Sequence, residues 1–186
     1  MKLPRPLYRV WQFWKTLTEK LSSQAWEEVR LILNPSQLAL FKHMTTADQA
    51  HGYRVMKAIQ TACHVKPELQ AMDFPSEDLH VAALLHDVGK SRYPIRIWER
   101  PLPVVANCLF PEWMNVSGED APHGWRRPLV VARKHPAWGA EMSAQAGASP
   151  LTVWLIRHHQ TENPPSFDHP NAERILHLLK EMDQQN

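Results

Sequence analysis

The spacing of apolar residues is the feature that most constrains how this chain can fold. Apolar side chains recur every three or four residues through most of the sequence, and no stretch alternates strictly between apolar and polar residues as a half-buried strand does. The sequence also contains only six glycines. These features predict an all-α protein, and 186 residues with 44% hydrophobic content suffice for one compact core.

Capping residues and prolines predict where the main helices begin and end. Asn34-Pro35 and Ser149-Pro150 each place a capping side chain before a proline at the first helical position. The expected helices run from Trp26 to Leu33, from Thr46 to His64 with His51 on its inner face, from about Ser76 to His86, from Pro150 to His158-His159, and from Pro170 through Asp183. The sequence therefore predicts a helical bundle.

The stretch His86-Asp87-Val88-Gly89-Lys90 follows the apolar run from Leu79 to Leu85. Neighbouring side chains on a regular helix point about 100° apart, so His86 and Asp87 can reach one ion only where the helix ends. We expect Gly89 to adopt the left-handed conformation that follows such an end. Lys90 adds a compact cation, and the stretch predicts a metal site with a group that contacts phosphate.

Further histidines and acidic residues stand along the chain as candidate ligands. They are His51, His135, the adjacent pair His158-His159, and Asp183. A single buried histidine is more often a hydrogen-bonded core residue, so it is the ordered set that makes these residues candidates. Imidazole and carboxylate together suit iron, manganese, zinc or nickel, and the absence of thiolates disfavours a purely structural zinc site.

The order of these candidates resembles that of the HD-domain superfamily of metal-dependent phosphohydrolases. The resemblance runs from about residue 46 to about residue 185 and includes the HPxxGAE stretch at residues 135–141. It is closest to the HDIG/HD-GYP-like branch, whose members hold two metals. The resemblance implies a first metal site made of His51, His86, Asp87 and Asp183, with Asp87 bridging to a second ion held by His135, His158 and His159.

The chemistry implied by the resemblance is hydrolysis of a phosphoester of a nucleotide or related metabolite by a metal-activated hydroxide. Two divalent transition metals are expected, iron or manganese first, with zinc, nickel, cobalt or magnesium as alternatives. Asp87 and Lys90 are the candidate catalytic residues, with Lys90 stabilising charge that develops during displacement. A non-catalytic signalling or interaction module that keeps the metals, and a di-iron oxygenase, remain open as alternatives.

The chain departs from the cyclic di-GMP branch at two points. That branch has a Gly-Tyr-Pro motif after the double histidine, where this chain has residues 160–165, Gln-Thr-Glu-Asn-Pro-Pro. Members with three metals carry a glutamate four residues before the first histidine, and Ala47 stands there. Neither cyclic di-GMP as substrate nor a third metal is therefore expected.

Two segments extend beyond the minimal pattern. We expect residues 1–45 to form a helical extension packed on an HD domain at 46–186, and residues 93–116 to form a crossover insertion that serves as added packing or as a lid. The first predicted helix has an apolar face (Leu7, Trp11, Trp14) near basic residues (Lys2, Arg5, Arg9, Lys15). This pattern fits a helix packed on the bundle or one at a membrane surface.

Charge and cysteine content limit the classes of partner. A net charge of +2 gives no field that favours nucleic acid, so a small-molecule phosphoester is the expected partner. Cys63 and Cys108 lack CxxC spacing and indicate a reducing compartment. No apolar run reaches about 18 residues and no signal-peptide core is present, which predicts a cytoplasmic protein. The identity of the substrate and the oligomeric state stay open.

Overall fold

The computed structural model describes residues 20–65, 69, 76–96, 99, 102–103, 106 and 122–186. Within these ranges all regular elements are helical, which confirms the predicted all-α class. The α-helices are α1 (Ser23–Ile32), α2 (Pro35–His43), α3 (Thr46–Val65), α4 (Ser76–Leu85), α5 (Arg127–Gln145), α6 (Pro150–His158) and α7 (Ala172–Gln185), and 3-10 helices span Val88–Arg92 and Gly124–Arg126. The predicted N-terminal helix and most of the 93–116 crossover lie outside the described residues.

The helix boundaries follow the capping signals of the sequence. The Asn34 side chain accepts a hydrogen bond from the Gln37 backbone N–H at 2.9 Å, while the Gln37 side chain accepts one from the Asn34 N–H at 3.1 Å. Ser149 Oγ accepts from the Thr152 N–H at 3.0 Å. Each bond satisfies a backbone donor that the first helical turn leaves unpaired. Helix α7 begins two residues after the expected Pro170, with Asn171 at its cap position.

Helix α4 lies at the centre of the molecule. Its buried residues are Leu79, Val81, Ala82, Ala83, Leu84 and Leu85, which cover every side of the helix. A helix that is apolar all round is stable only when it is enclosed by other elements, and α4 contacts α1, α2, α3, α6 and α7. The His86-Asp87 pair therefore lies directly after the end of a helix that runs through the core.

Close contact between α3 and α4 depends on Gly52. A Cβ atom at this position would lie 2.9 Å from the carbonyl oxygen of Leu84 and 3.1 Å from that of Ala83. A larger residue would push the two backbones apart, because backbone oxygens cannot move aside as a flexible side chain does. The glycine thus lets the adjacent His51 reach the end of α4.

The first two described helices belong to the same core as the C-terminal helices. Val29 of α1 and Phe41 of α2 are fully buried within a hydrophobic cluster that also contains residues of α6 and α7. The carboxylate of Glu28 on α1 accepts hydrogen bonds from the Tyr53 hydroxyl at 3.0 Å and the Lys57 ammonium at 3.1 Å, which ties α1 to α3. The division of the chain at residue 45 stays a prediction.

Helices α5, α6 and α7 complete the bundle. Helix α5 packs against both the 3-10 helix Val88–Arg92 and α6, and α7 packs against α3 and α6. None of the helices within the described part of the chain has the length and apolarity to cross a membrane. This packing brings together residues from α3, the end of α4, the middle of α5, the end of α6 and the last turns of α7.

Candidate metal centre

Two groups of histidine and aspartate side chains share Asp87. One group contains His51, His86 and Asp87, and the other contains Asp87, His135 and His159; within each group one ligand atom per residue lies within 4.8 Å of the others. Asp87 Oδ1 is 3.2 Å from His135 Nε2, and Asp87 Oδ2 is 3.6 Å from His86 Nε2. The two oxygens of one carboxylate thus face different groups, as a carboxylate that bridges two ions must do.

Asp183 completes the first group from the other end of the chain. Its Oδ1 lies 2.8 Å from His51 Nε2, across 132 residues of sequence, and 3.4 Å from His86 Nε2. The last turns of α7 therefore bring a second carboxylate to the histidines of α3 and α4. The structure brings together all four residues expected at the first site, His51, His86, Asp87 and Asp183.

The adjacent histidines at the end of α6 point in different directions. His159 Nε2 lies 3.3 Å from His135 Nε2, whereas the ring of His158 packs against Trp154 with centroids 5.4 Å apart. His158 belongs to neither ligand group of the described residues. Neighbouring helical side chains point about 100° apart, and of the two rings only that of His159 faces Asp87. Binding of the second ion by His158 stays a prediction.

Backbone carbonyls at two helix ends orient His86 and His159. His86 Nδ1 lies 2.9 Å from the carbonyl of Ala83, and His159 Nδ1 lies 2.7 Å from that of Ile156. These carbonyls belong to the last turns of α4 and α6, where no intrahelical N–H is available to pair with them. Because a carbonyl only accepts, each Nδ1 carries the hydrogen and donates it, which leaves Nε2 of each ring to face the centre as a ligand.

Pro136 provides the corresponding acceptor for His135 in the middle of α5. His135 Nδ1 donates to the carbonyls of Ala132 at 2.9 Å and Val131 at 3.1 Å. In a regular helix the carbonyl of Ala132 would accept from the N–H of residue 136, but proline has no N–H. The proline thus frees a carbonyl for the imidazole, and His135 also presents Nε2 to Asp87.

Gly89 has a different role from the one expected from the sequence. It lies within the 3-10 helix Val88–Arg92 and does not have the positive φ of a left-handed helix end. A Cβ atom at this position would lie 2.0 Å from the carbonyl oxygen of His135 and 2.6 Å from the backbone nitrogen of Gly139. The glycine is required because the chain after Asp87 rests directly on the backbone of α5.

Burial and neighbouring charge act in opposite directions on the two central imidazoles. Burial by itself lowers the pKa of His86, but the carboxylates of Asp87 and Asp183 outweigh it and raise the pKa to about 9. Burial lowers the pKa of His159 to about 3, and its neighbours His86 and His135 act in the same direction. His159 is therefore a neutral ligand at pH 7, whereas His86 holds a proton in the metal-free protein.

The two carboxylates are ionised despite their burial. Burial raises the pKa of Asp87, but Lys90 and His86 bring it well below its usual range. For Asp183 too, burial raises the pKa, and the facing imidazoles of His51 and His86 lower it well below its usual range. The negative charge of the two carboxylates favours cations at the centre, which in the metal-free protein are the side chains of His86 and Lys90.

The residues fit bound metal ions. Nε2 of His86 is buried and has no hydrogen-bond partner among the described residues, although Asp183 and Asp87 oxygens lie 3.4 and 3.6 Å away. Buried polar atoms are rarely left unpaired, and a cation between this nitrogen and the two carboxylates would satisfy it. Imidazole nitrogens with carboxylate oxygens form a donor set that suits first-row transition metals.

Lys90 is held at the centre by acidic residues. Its Nζ lies 2.6 Å from Asp87 Oδ2. Burial lowers the pKa of Lys90, but Asp87, Asp48 and Asp183 together raise it, so the side chain is a cation. Asp48, a buried acid of α3, was not among the predicted site residues. Its signal was its position three residues before His51, one helical turn away on the same face.

The comparisons with known proteins agree with this geometry. Residues 50–184 match the model of the HD domain, so this chain belongs to the HD-domain family. The family is of the metal-dependent phosphohydrolase type, and its members are generally hydrolases. No curated protein and no solved structure shows a significant match to the chain.

Proposed function

We propose that this protein is a dinuclear phosphohydrolase of the HDIG/HD-GYP-like type that cleaves a phosphoester of a nucleotide or related metabolite. The observation that carries the proposal is the position of Asp87 between two groups of buried imidazoles. A mononuclear site needs only one such group. A carboxylate with one oxygen 3.2 Å from His135 and the other 3.6 Å from His86 suits two ions.

The proposal divides the ligands between two ions. His51, His86 and Asp183 hold the first, His135 and His159 hold the second, and Asp87 serves both. Divalent ions, iron or manganese first, would supply water of lowered pKa as the nucleophile and would neutralise phosphoryl charge. The resemblance also assigns His158 to the second ion, whereas its ring packs against Trp154 in the structure, so the proposal does not depend on it.

Lys90 is the candidate catalytic residue besides the ligands. An ammonium group has three donor hydrogens, and the bond to Asp87 at 2.6 Å uses one of them. The side chain remains 31% exposed, so the other hydrogens can meet a phosphoryl oxygen at the edge of the centre. Because its pKa is raised, Lys90 stays charged at neutral pH and stabilises negative charge that grows during displacement.

A hydrolysis screen on protein with defined metal content tests the proposal. The chain is purified without chelator, loaded with Mn²⁺ or, without oxygen, with Fe²⁺, and given nucleoside phosphates, cyclic mononucleotides and cyclic dinucleotides. We expect hydrolysis of at least one class, and its loss in Asp87→Asn. His177→Gln is the matched control, because His177 is an exposed histidine of α7 outside both ligand groups.

Two results would contradict the proposal in favour of other functions. Two bound metals with no hydrolysis of any phosphoester would favour a non-catalytic interaction module. Oxygen consumption by the Fe²⁺ form together with oxidation of an organic substrate would favour a di-iron oxygenase. Both measurements use the same metal-loaded protein, so they separate the three functions directly.

A further inference from the structure

An aromatic pair stands beside the metal centre, on the two segments that are in close contact at Gly89. The ring of Tyr93, which follows the 3-10 helix Val88–Arg92, packs against the ring of Trp138 on α5, with centroids 5.1 Å apart and planes inclined by 52°. The Arg92 guanidinium lies over the same indole, 5.6 Å from its centroid. Tyr93 is 36% exposed and Trp138 is half-buried, so part of this aromatic surface is open to solvent.

Helical periodicity places the pair next to residues of the centre. Trp138 comes three residues after His135, so the two side chains are neighbours on the surface of α5, about 4.5 Å apart along its axis. Side chains three residues apart in a 3-10 helix eclipse each other. Tyr93 comes three residues after Lys90, so it continues the side of Lys90 about 6 Å further along the helix axis. The pair thus lies one turn beyond both Lys90 and His135.

The centre opens to solvent on the side of Lys90. The side chains of Lys90, His51 and Asp183 are 31%, 21% and 23% exposed, whereas those of Asp87 and His135 are almost completely buried. A substrate whose phosphoryl group meets the metals must therefore extend its organic part outward through this opening. On the side of Lys90, the surface that this organic part meets next is the aromatic pair.

The two rings lie outside the hydrophobic core and are held in place by charged groups. Neither Tyr93 nor Trp138 belongs to the buried core cluster. Arg92 Nη1 lies 3.4 Å from the Glu141 carboxylate, one α-helical turn after Trp138, and this ion pair holds the guanidinium over the indole. Aromatic rings and arginine planes at a surface are the groups on which proteins stack planar bases.

We propose that Tyr93 and Trp138 bind the planar organic part of the substrate by stacking. This inference rests on the proposed function and narrows its substrate class to phosphoesters that carry an aromatic ring, such as a nucleobase. Every base has a π-face, so the pair favours nucleotides over sugar phosphates without selecting one base. The metals and Lys90 hold the phosphoryl group, and the pair determines which organic group is accepted beside it.

Isothermal titration of the Mn²⁺-loaded full chain with two ligands tests the inference. Adenosine 5′-thiomonophosphate carries a base and a phosphorothioate that resists hydrolysis, whereas inorganic phosphate carries no base. We expect the nucleotide analogue to bind more tightly than phosphate. Trp138→Leu and Tyr93→Leu should each lower the affinity for the analogue roughly tenfold and leave phosphate binding and metal content unchanged. Tyr93→Phe keeps the ring and should keep the wild-type affinity.

Trp125→Leu is the matched control, because Trp125 is an exposed tryptophan outside the pair and also has a guanidinium, that of Arg126, 5.5 Å from its ring centroid. It should bind the analogue as the wild type does. Equal affinity in the wild type and in Tyr93→Leu/Trp138→Leu would overturn the inference, as would an analogue that binds no more tightly than phosphate. A loss of phosphate binding and metal content in both leucine variants would also overturn it, since the pair would then only support the centre.

Hydrolysis by the same metal-loaded protein separates this inference from the proposed function. Binding of the analogue through the pair without hydrolysis of any phosphoester would keep the stacking site and refute only the proposed function. Hydrolysis of sugar phosphates as efficiently as of nucleotides would keep the proposed function and refute only the stacking site.

Discussion

Replacing Gly89 by alanine should disturb the metal centre through the backbone alone. The added Cβ would lie 2.0 Å from the carbonyl oxygen of His135, whereas ordinary contacts begin at 3.4 Å. The 3-10 helix Val88–Arg92 and α5 must therefore separate by about 1.4 Å, the difference between these two distances. Both contacts nearest to the added atom are backbone atoms, so no flexible side chain can absorb the shift.

Two effects of different magnitude follow from that separation. Overpacking of this kind costs about 1–3 kcal/mol of the free energy of unfolding, and the rigid surroundings of Gly89 place it toward the upper end. Metal sites require ligands within about 0.5 Å of their working positions, which is less than the required movement. Asp87 and His135, now 3.2 Å apart, should therefore no longer bind the second ion together.

Chemical denaturation and elemental analysis of Gly89→Ala measure these two effects. Gly124→Ala is the control: its φ of 57° makes alanine strained, but no heavy atom lies within 4 Å of the added Cβ. The control should lose about 1 kcal/mol of stability and keep its full metal content. A Gly89→Ala protein with wild-type stability and wild-type metal content would refute the argument from close backbone contact.

Three further predictions concern the chemistry of the centre. Lys90→Met should keep both metals and the fold but lower kcat by roughly a hundredfold or more, and full activity would mean that the lysine only pairs with Asp87. Metal affinity, measured by competition with a chromogenic chelator, should rise from pH 7 to pH 9, because the metal must displace the proton of His86, whose pKa is about 9; affinity independent of pH would contradict this. Pro136→Ala restores an N–H that competes for the Ala132 carbonyl, so the affinity of the second site for metal should fall about tenfold while the fold is retained. Unchanged affinity in a titration with Mn²⁺ would mean that the carbonyl serves both donors.

The helices were largely predictable because they depend on local signals. Helical spacing and capping residues are properties of short segments, and α3 and α6 begin at the predicted residues, Thr46 and Pro150. The proximity of His51, His86, Asp87 and Asp183 was implied by the resemblance to the HD-domain superfamily, which rests on the order of these residues in the chain. The structure then brings Asp183 to within 2.8 Å of His51, as that order implies.

The sequence did not predict features that depend on the direction of a side chain or on contacts between distant segments. The adjacent pair His158-His159 gives no indication of which ring faces Asp87, because that depends on how α6 is rotated against α5. Gly89 matched a local pattern for a helix end, but its role comes from the carbonyl of His135, more than forty residues later. Asp48 stands one helical turn before His51 in the sequence, but its effect on Lys90 depends on how α3 packs against α4.

The number of metal ions per chain, with and without Asp87, tests the central claim most directly. Elemental analysis of protein purified without chelator and saturated with Mn²⁺ should give close to two ions for the wild type and none for Asp87→Ala, because one carboxylate serves both groups. His135→Ala should keep one ion, since His51, His86, Asp87 and Asp183 remain in place. A single ion in the wild type, or an ion retained in Asp87→Ala, would contradict the account of a shared bridging carboxylate.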